Sequence, residues 1–198
     1  MKISRKIELA VIIGVILSMV LNIVSFAVTC DNVRQDILRL HVIAASDSDE
    51  DQQLKLKVRD AVLKAGAEVF DGSVNVDNAV KKLTPELNYL EQVAEKTVKE
   101  NGFDYDVSVN LSKEFFATRT YEKVTLPAGK YLAVKVIIDE GKGKNWWCVM
   151  FPSLCLPAAA VKTELDDVLN EKEVQLVSRN PKYEPRFKIV EIIEKYFK

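Results

Sequence analysis

The sequence predicts an α+β protein: a single extracytoplasmic domain with helices packed on a mainly antiparallel sheet, preceded by one N-terminal hydrophobic helix. Two observations carry that expectation. A basic start, Met1-Lys2-Ile3-Ser4-Arg5-Lys6, leads into a run from Leu9 to Val28 that holds no charge. Beyond it, the hydrophobic period alternates between about 2 and about 3.6 in the order strand, helix, helix, several strands, helix, which suits helices laid over an antiparallel-dominated sheet. With 198 residues the chain has room for one domain and a sizeable core. Lys and Arg number 28 against 29 Asp and Glu, a net charge of −1. No global field draws the chain to nucleic acid, and no nucleic-acid partner is expected.

The Leu9–Val28 run is roughly 20 residues long, about what a helix needs to cross a bilayer. Basic residues precede it and none follows closely, so the N-terminus is predicted inside and the remainder outside. Two readings stay open: an uncleaved anchor over residues 7–28, or a signal peptide cut after Ser25-Phe26-Ala27, a small-x-small cleavage form. A lipoprotein is disfavoured, because Ala27-Val28-Thr29 before Cys30 lacks a small residue just ahead of the cysteine. The domain boundaries are accordingly set at 1–28 and 29–198. Disulfides persist outside the membrane, and Cys148 and Cys155 stand close in sequence with Pro152 between them. A bridge there closes a short loop worth roughly 2–3 kcal/mol. Three free thiols are the alternative, and Cys30 is left over at the membrane edge or in a linker.

The elements follow in order. Asp31 to Asp36 reads as a polar connector. Ile37 to Ala44 alternates as a strand, with Leu38, Leu40, Val42 and Ala44 on one face and Arg39 and His41 on the other. Ser46, Asp47 or Ser48 then caps a helix whose first turn is acidic. Its buried stripe is Leu54, Val58, Ala61, Val62, Ala65 and Val69, with Lys55, Arg59 and Lys64 covering the remainder. The alternating Asp47, Asp49 and Asp51 do not fit a calcium loop, since Gln52 and Val58 stand where Gly and Glu belong. Asp71-Gly72-Ser73 ends this helix. Val76 to Asn101 forms another, started or kinked by Pro85 and stopped at Asn101-Gly102. Tyr105 to Leu111 alternates as a half-buried strand, and Phe115 to Tyr121 reads as the next. Leu126-Pro127-Ala128-Gly129 is a turn in which glycine supplies backbone freedom, and Tyr131 to Ile138 is apolar enough for the sheet centre. After Cys155, Ala158 to Leu169 suggests a helix. Glu171 to Pro181 is charged and weakly patterned, and Arg186 to Lys198 forms an amphipathic terminal helix.

Gly141 to Cys155 concentrates the unusual residues. Gly141 and Gly143 end the preceding strand, and Trp146 to Phe151 returns as a short strand that Pro152 stops. Adjacent tryptophans on a strand point to opposite faces. One of Trp146 and Trp147 is therefore expected in the core. The other lies outside it, flanked by Lys142, Lys144 and Asn145, without intramolecular cover and suited to anchor a partner.

Catalytic devices are not legible in the chain. The one histidine, His41, sits on a strand and reads as structural, and no cysteine falls at a predicted helix N-terminus. The Gly141-Lys142-Gly143-Lys144 stretch lacks the spacing and the following helix of a phosphate loop. No zinc set is present. No catalytic residue, metal or cofactor is expected. Paired carboxylates have no address without a structure.

Three stretches together resemble the stage II sporulation protein R family. The first is Leu38-Arg39-Leu40-His41-Val42-Ile43-Ala44 running into Ser46-Asp47-Ser48 and Asp51-Gln52, with Lys57-Val58-Arg59-Asp60 further on. The second runs from Thr118-Arg119-Thr120-Tyr121 through Leu126-Pro127-Ala128-Gly129-Lys130-Tyr131. The third runs from Gly141 through Trp146-Trp147-Cys148 to Pro152, with Cys155. The tail from Tyr183 to Lys198 is similar as well. The family would have Asn where Ala45 stands and a second Pro where Ser153 stands, which leaves the loop before Cys155 less rigid.

The resemblance implies a secreted signalling protein of endospore-forming bacteria, made in the forespore and exported into the space between the two surrounding membranes. There it triggers, from the extracytoplasmic side, a membrane-embedded aspartic protease of the mother cell, which cleaves the precursor of sigma factor E. The competing reading is an extracytoplasmic cell-wall enzyme or glycan-binding protein in which Trp146 or Trp147 stacks on a sugar.

Overall fold

The computed structural model describes residues 2–121, 124–155, 165–178 and Phe187. In chain order its elements are α1 (Lys2–Gln35), β1 (Leu38–Ile43), α2 (Asp49–Val69), α3 (Val76–Leu83), a 3-10 turn (Thr84–Glu86) and α4 (Leu87–Glu100). There follow β2 (Val107–Phe116), β3 (Arg119–Tyr121), β4 (Val124–Leu126), β5 (Gly129–Ile138), β6 (Asn145–Phe151), α5 (Leu165–Val168) and α6 (Glu171–Val177). The fold is α+β, as predicted. Four strands form a sheet in the order β2-β5-β1-β6, and β3 pairs with β4 as a separate hairpin. Among the described strands only β1 and β5 run parallel, and the other pairings are antiparallel.

The alternation in β1 sets the two sides of the sheet. Leu38, Leu40 and Val42 join the core beneath the helices, where Leu54, Val58 and Val62 of α2 meet Leu90, Ala94 and Val98 of α4. Ser48 caps α2 by accepting a hydrogen bond from the Asp51 amide, and Asp49, Glu50 and Asp51 fill its acidic first turn. The acidic cluster is thus a helix start, and the capping arrangement stabilises by about 1 kcal/mol. Gly72 and Gly102, both at positive φ, end α2 and α4 as expected.

Other elements correct the reading from sequence. The polar stretch 31–35 continues α1 rather than forming a connector, because Cys30, Val33 and the following Ile37 are fully buried. Cys30 is therefore a core residue and not one in a linker. Pro85 breaks the expected 76–101 helix into α3 and α4 through the 3-10 turn. Phe115 and Phe116 close β2 instead of opening a new strand, and β3 begins only at Arg119. The stretch after Asn170 is helical: Asn170 and Glu173 form a capping box that starts α6. Lys55, expected on the outer side of α2, is buried. Of the 158–169 segment only α5 is described, and the terminal helix lies outside the described residues except for buried Phe187.

A second apolar cluster covers the α1 end of the opposite sheet face. It gathers Cys30, Val33 and Ile37 with Tyr131, Leu126, Leu176, Val177 and Phe187. Arg34 fastens this corner, with Nε and Nη2 donating to the Ala128 carbonyl at 3.0 and 2.6 Å. Gly129 sits at φ +147°, and a Cβ there would lie 2.2 Å from Arg34 Nε. The glycine serves both the backbone conformation and the close approach of the guanidinium.

The strand following β5 pairs with β1, so the β5–β6 connection has to cross the end of β1. Gly143 and Lys142 amides donate to the carbonyls of Ala44 and Ala45 at 2.9 and 3.2 Å. At Gly143 a Cβ would lie only 2.2 Å from the Ser46 carbonyl oxygen, a backbone atom that cannot swing aside. Gly143→Ala should therefore destabilise the domain by roughly 1–3 kcal/mol, read as a lower denaturation midpoint. An unchanged midpoint would show that the crossing is looser than this.

Candidate functional site

The crossing turn and the first residues of β6 hold every residue proposed from sequence for partner binding. Asp139, at φ 54°, and Gly141, at φ 64°, turn the chain out of β5. Lys144 is then held at both backbone groups. Its amide donates to Asp47 Oδ1 at 2.7 Å, and its carbonyl accepts from Lys55 Nζ at 2.9 Å. Lys55 also donates to Gln52 Oε1 at 2.5 Å. This buried lysine ties α2 to the turn, a role hidden by its ordinary place on the helix pattern. Burial pulls its pKa below the usual lysine value, against the opposing pull of Asp47.

The two tryptophans do point to opposite faces. Trp147, opposite His41 in the β1–β6 register, turns to the second face and is half-buried. Its ring stacks on His41 with centroids 3.7 Å apart and meets the edge of Phe116 at 4.8 Å. Trp146, opposite Val42, lies on the α2 side at the sheet margin and is 36% exposed. It is not left bare: the Arg59 guanidinium sits 4.5 Å from its ring centroid, within cation–π range. Arg59 is itself paired with Asp60. The expectation that the outward tryptophan lacks intramolecular cover is corrected accordingly.

Around Trp146 the surface carries both signs of charge. Lys142 and Lys144 are both exposed, and Lys142 pairs with Glu140. Asn145 is exposed as well, yet its Oδ1 lies 2.7 Å from His41 Nε2. It links the tip to the interior instead of serving only as rim. Cys148 and Cys155 are joined by a disulfide with Cα atoms 6.4 Å apart. The bridge fastens the segment after β6 back to a strand residue that is fully buried.

Behind the tip lies a buried polar row that the sequence does not advertise. Arg39 is fully buried; its Nε and Nη2 are hydrogen-bonded and aromatic rings line it, while Nη1 has no hydrogen-bond partner among the described residues. Nε donates to the Cys148 carbonyl at 2.9 Å and Nη2 to the Tyr121 hydroxyl at 2.6 Å. The guanidinium lies 4.2 Å from the Phe116 ring centroid and 5.0 Å from that of Tyr131. His41 is also buried. With Asn145 Oδ1 as acceptor, Nε2 carries the proton and Nδ1 faces Glu114 Oε2 at 3.7 Å. Lys135 neutralises that carboxylate at 3.2 Å. For Glu114 burial pushes upward, but the Ser112 and Lys135 hydrogen bonds outweigh it and hold the carboxyl below its usual value.

His41 therefore has the geometry of a structural residue, stacked and hydrogen-bonded within the sheet. Burial lowers its pKa, against smaller upward contributions from Asn145 and Glu114 and a downward one from Lys135. The folded state thus takes up this proton less readily than the unfolded chain does. Stability is full above the ordinary value of 6.5 and declines as pH falls below it, through the lowered folded value. As the chain has one histidine, thermal melts between pH 7 and about 5.5 isolate its contribution. His41→Phe should flatten that slope whatever its overall stability. An equal slope in both proteins would remove His41 as the cause.

Residues 34–161 match the family model described as stage II sporulation protein R. The chain is 35% identical over 144 residues to the stage II sporulation protein R of Bacillus subtilis (strain 168). That alignment spans 71% of this chain and 64% of the relative. No solved structure matches the chain. The matched residues begin in the last turn of α1 and include the whole sheet, so the likeness rests on the folded domain and not on apolar composition. The chain belongs to the stage II sporulation protein R family.

Proposed function

We propose that this protein is an intercellular sporulation signal, exported from the forespore into the space between the two membranes. There it activates a membrane-embedded aspartic protease of the mother cell, which processes the sigma factor E precursor. Family membership supports the sporulation role. One observation carries the reading to particular residues. α1 enters the sheet at Leu38, whereas the Trp146 tip meets β1 at its other end, where Asn145 pairs with Ile43. The six residues of β1 separate these points by roughly 20 Å. A tip held that far from the membrane of origin is suited to meet a receptor in the facing membrane.

In this reading the receptor performs the chemistry, and the protein supplies Trp146 as anchor with Arg59, Lys142 and Lys144 around it. Asn145 and Trp147 support the tip from within. A sugar platform is less well supported, because His41 covers one face of Trp147 and Arg59 one face of Trp146. We also assign residues 7–28 as an uncut anchor with the signalling domain following. Phe26 packs on Phe187 at 5.8 Å between ring centroids, and a cut after Ala27 would remove that contact from the domain.

Co-expression with the protease and the sigma factor E precursor in a non-sporulating host tests the docking surface. Trp146→Ala should reduce activation by about 30- to 1,000-fold, the weight of a hot-spot aromatic, with the melting temperature nearly unchanged. Trp147→Ala should instead destabilise the domain by roughly 3–5 kcal/mol. Loss of activity in both variants only in proportion to lost folded protein would move the interface elsewhere. Separately, the intact mass of membrane-fractionated protein should include residues 1–27. A soluble species starting at Val28 would show that the segment serves export only.

A further inference from the structure

β2 forms one edge of the four-stranded sheet and is 10 residues long. Its pairing with β5 runs from Val107–Ile138 to Phe116–Gly129 without a register shift. One observation therefore fixes the direction of every backbone group. The Val109 amide points out of the sheet, because it donates to Glu91 Oε2 of α4 at 2.9 Å. Alternate residues of an antiparallel strand turn both backbone groups to the same side. The N–H and C=O of Leu111, Lys113 and Phe115 accordingly face outward as well, and none of them has a hydrogen-bond partner among the described residues. From this edge we infer a docking site for an extended segment of a partner protein, added to the sheet as a further strand. The segment places an acidic residue opposite Lys113 and apolar residues opposite Leu111 and Phe115.

Open edges are commonly blunted by bulges, proline, capping side chains or a covering helix, and the rest of this sheet shows such devices. β6, the other edge, carries a register shift opposite Leu38 and Arg39 and is followed by Pro152. Glu91 caps β2 at Val109, and α4 begins only one turn earlier, at Leu87. Past that point β2 has neither bulge nor proline, and Phe115 is 44% exposed.

The side chains define the chemistry of the occupant. Leu111, Lys113 and Phe115 alternate onto the face that carries Val107 and Val109 into the core. Lys113 is exposed and makes no ion pair among the described residues. It also argues against a second copy of the chain. Self-pairing through all three residues would set Lys113 opposite its own counterpart, and like charges so placed are destabilising. Antiparallel copies would, in addition, send their α1 helices out at opposite ends of the joined sheet, which two anchors in one membrane cannot do. The site lies across the sheet from β6, so it is separate from the Trp146 tip.

The test uses the full chain in lipid nanodiscs and a fluorescent seven-residue peptide. The peptide carries a central glutamate, a valine two positions to either side and threonine elsewhere. Anisotropy should show saturable binding, with amide exchange slowed at Leu111, Lys113 and Phe115. Lys113→Pro removes an outward N–H without touching the ladder to β5, and should abolish binding with the melting temperature nearly unchanged. Lys113→Glu should weaken binding about five-fold and favour a peptide with lysine at the centre by the same factor. Lys96→Gln, on an exposed face of α4, should leave binding unchanged. Absence of saturable binding to the wild type, or full binding by Lys113→Pro, would overturn the assignment. Dimerisation of the wild type that Lys113→Pro abolishes would also overturn it, by making a second copy the occupant.

Discussion

Strand β1 is hydrogen-bonded on both sides, parallel to β5 and antiparallel to β6. Because it occupies that slot, the chain leaving β5 has to pass over the end of β1 before returning as β6. Close backbone approach at Gly143 permits this passage. Asp47 and Lys55 then hold Lys144 from two directions. The tip is rigid because it is a crossing, and Trp146 is presented at the sheet margin because β6 is an edge strand. On the other side of the same strand, Arg39 and His41 replace hydrophobic contact with a ring-lined polar row.

A buried arginine without a carboxylate is costly unless its protons are used. Here the cost is offset in part by the Cys148 carbonyl, the Tyr121 hydroxyl and the faces of Phe116 and Tyr131, with Nη1 left without a hydrogen-bond partner among the described residues. Each of these groups comes from a different strand: β6, β3, β2 and β5. Arg39 therefore fixes how the hairpin and the sheet sit together, and the Cys148–Cys155 bridge pins the same strand residue to the chain beyond Pro152. His41, two residues on, extends the arrangement to Asn145 at the tip. The order of the exposed turn is thus coupled to the interior through β1.

Local pattern was sufficient for some of this and not for the rest. The alternation of Leu38, Leu40 and Val42 against Arg39 and His41, the Ser48 cap and the stripe Leu54, Val58, Val62 are each decided within a few residues, and the structure keeps them. The opposed tryptophans follow from strand geometry alone. What was not legible depends on distant partners. Asp31 and Gln35 read as a connector because their polarity conceals Cys30 and Val33 on the other side of the same helix. Lys55 looks like any solvated lysine until Lys144, far along the chain, supplies its acceptor. Arg59 becomes a cover for Trp146 only once α2 lies over β6. The Asn170–Glu173 capping box was present in the sequence as a local signal, masked by the charge around it.

Most directly, the tip can be examined by amide hydrogen exchange of the full chain with and without the proposed receptor protease, the two proteins held in apposed membranes. Slowed exchange is expected across residues 141–147 and in the turn of α2 carrying Arg59, with the α1 end of the sheet unchanged. Protection confined to the outer face of β2, around Ser108 to Ser112, with residues 141–147 unaffected, would contradict docking through the Trp146 tip.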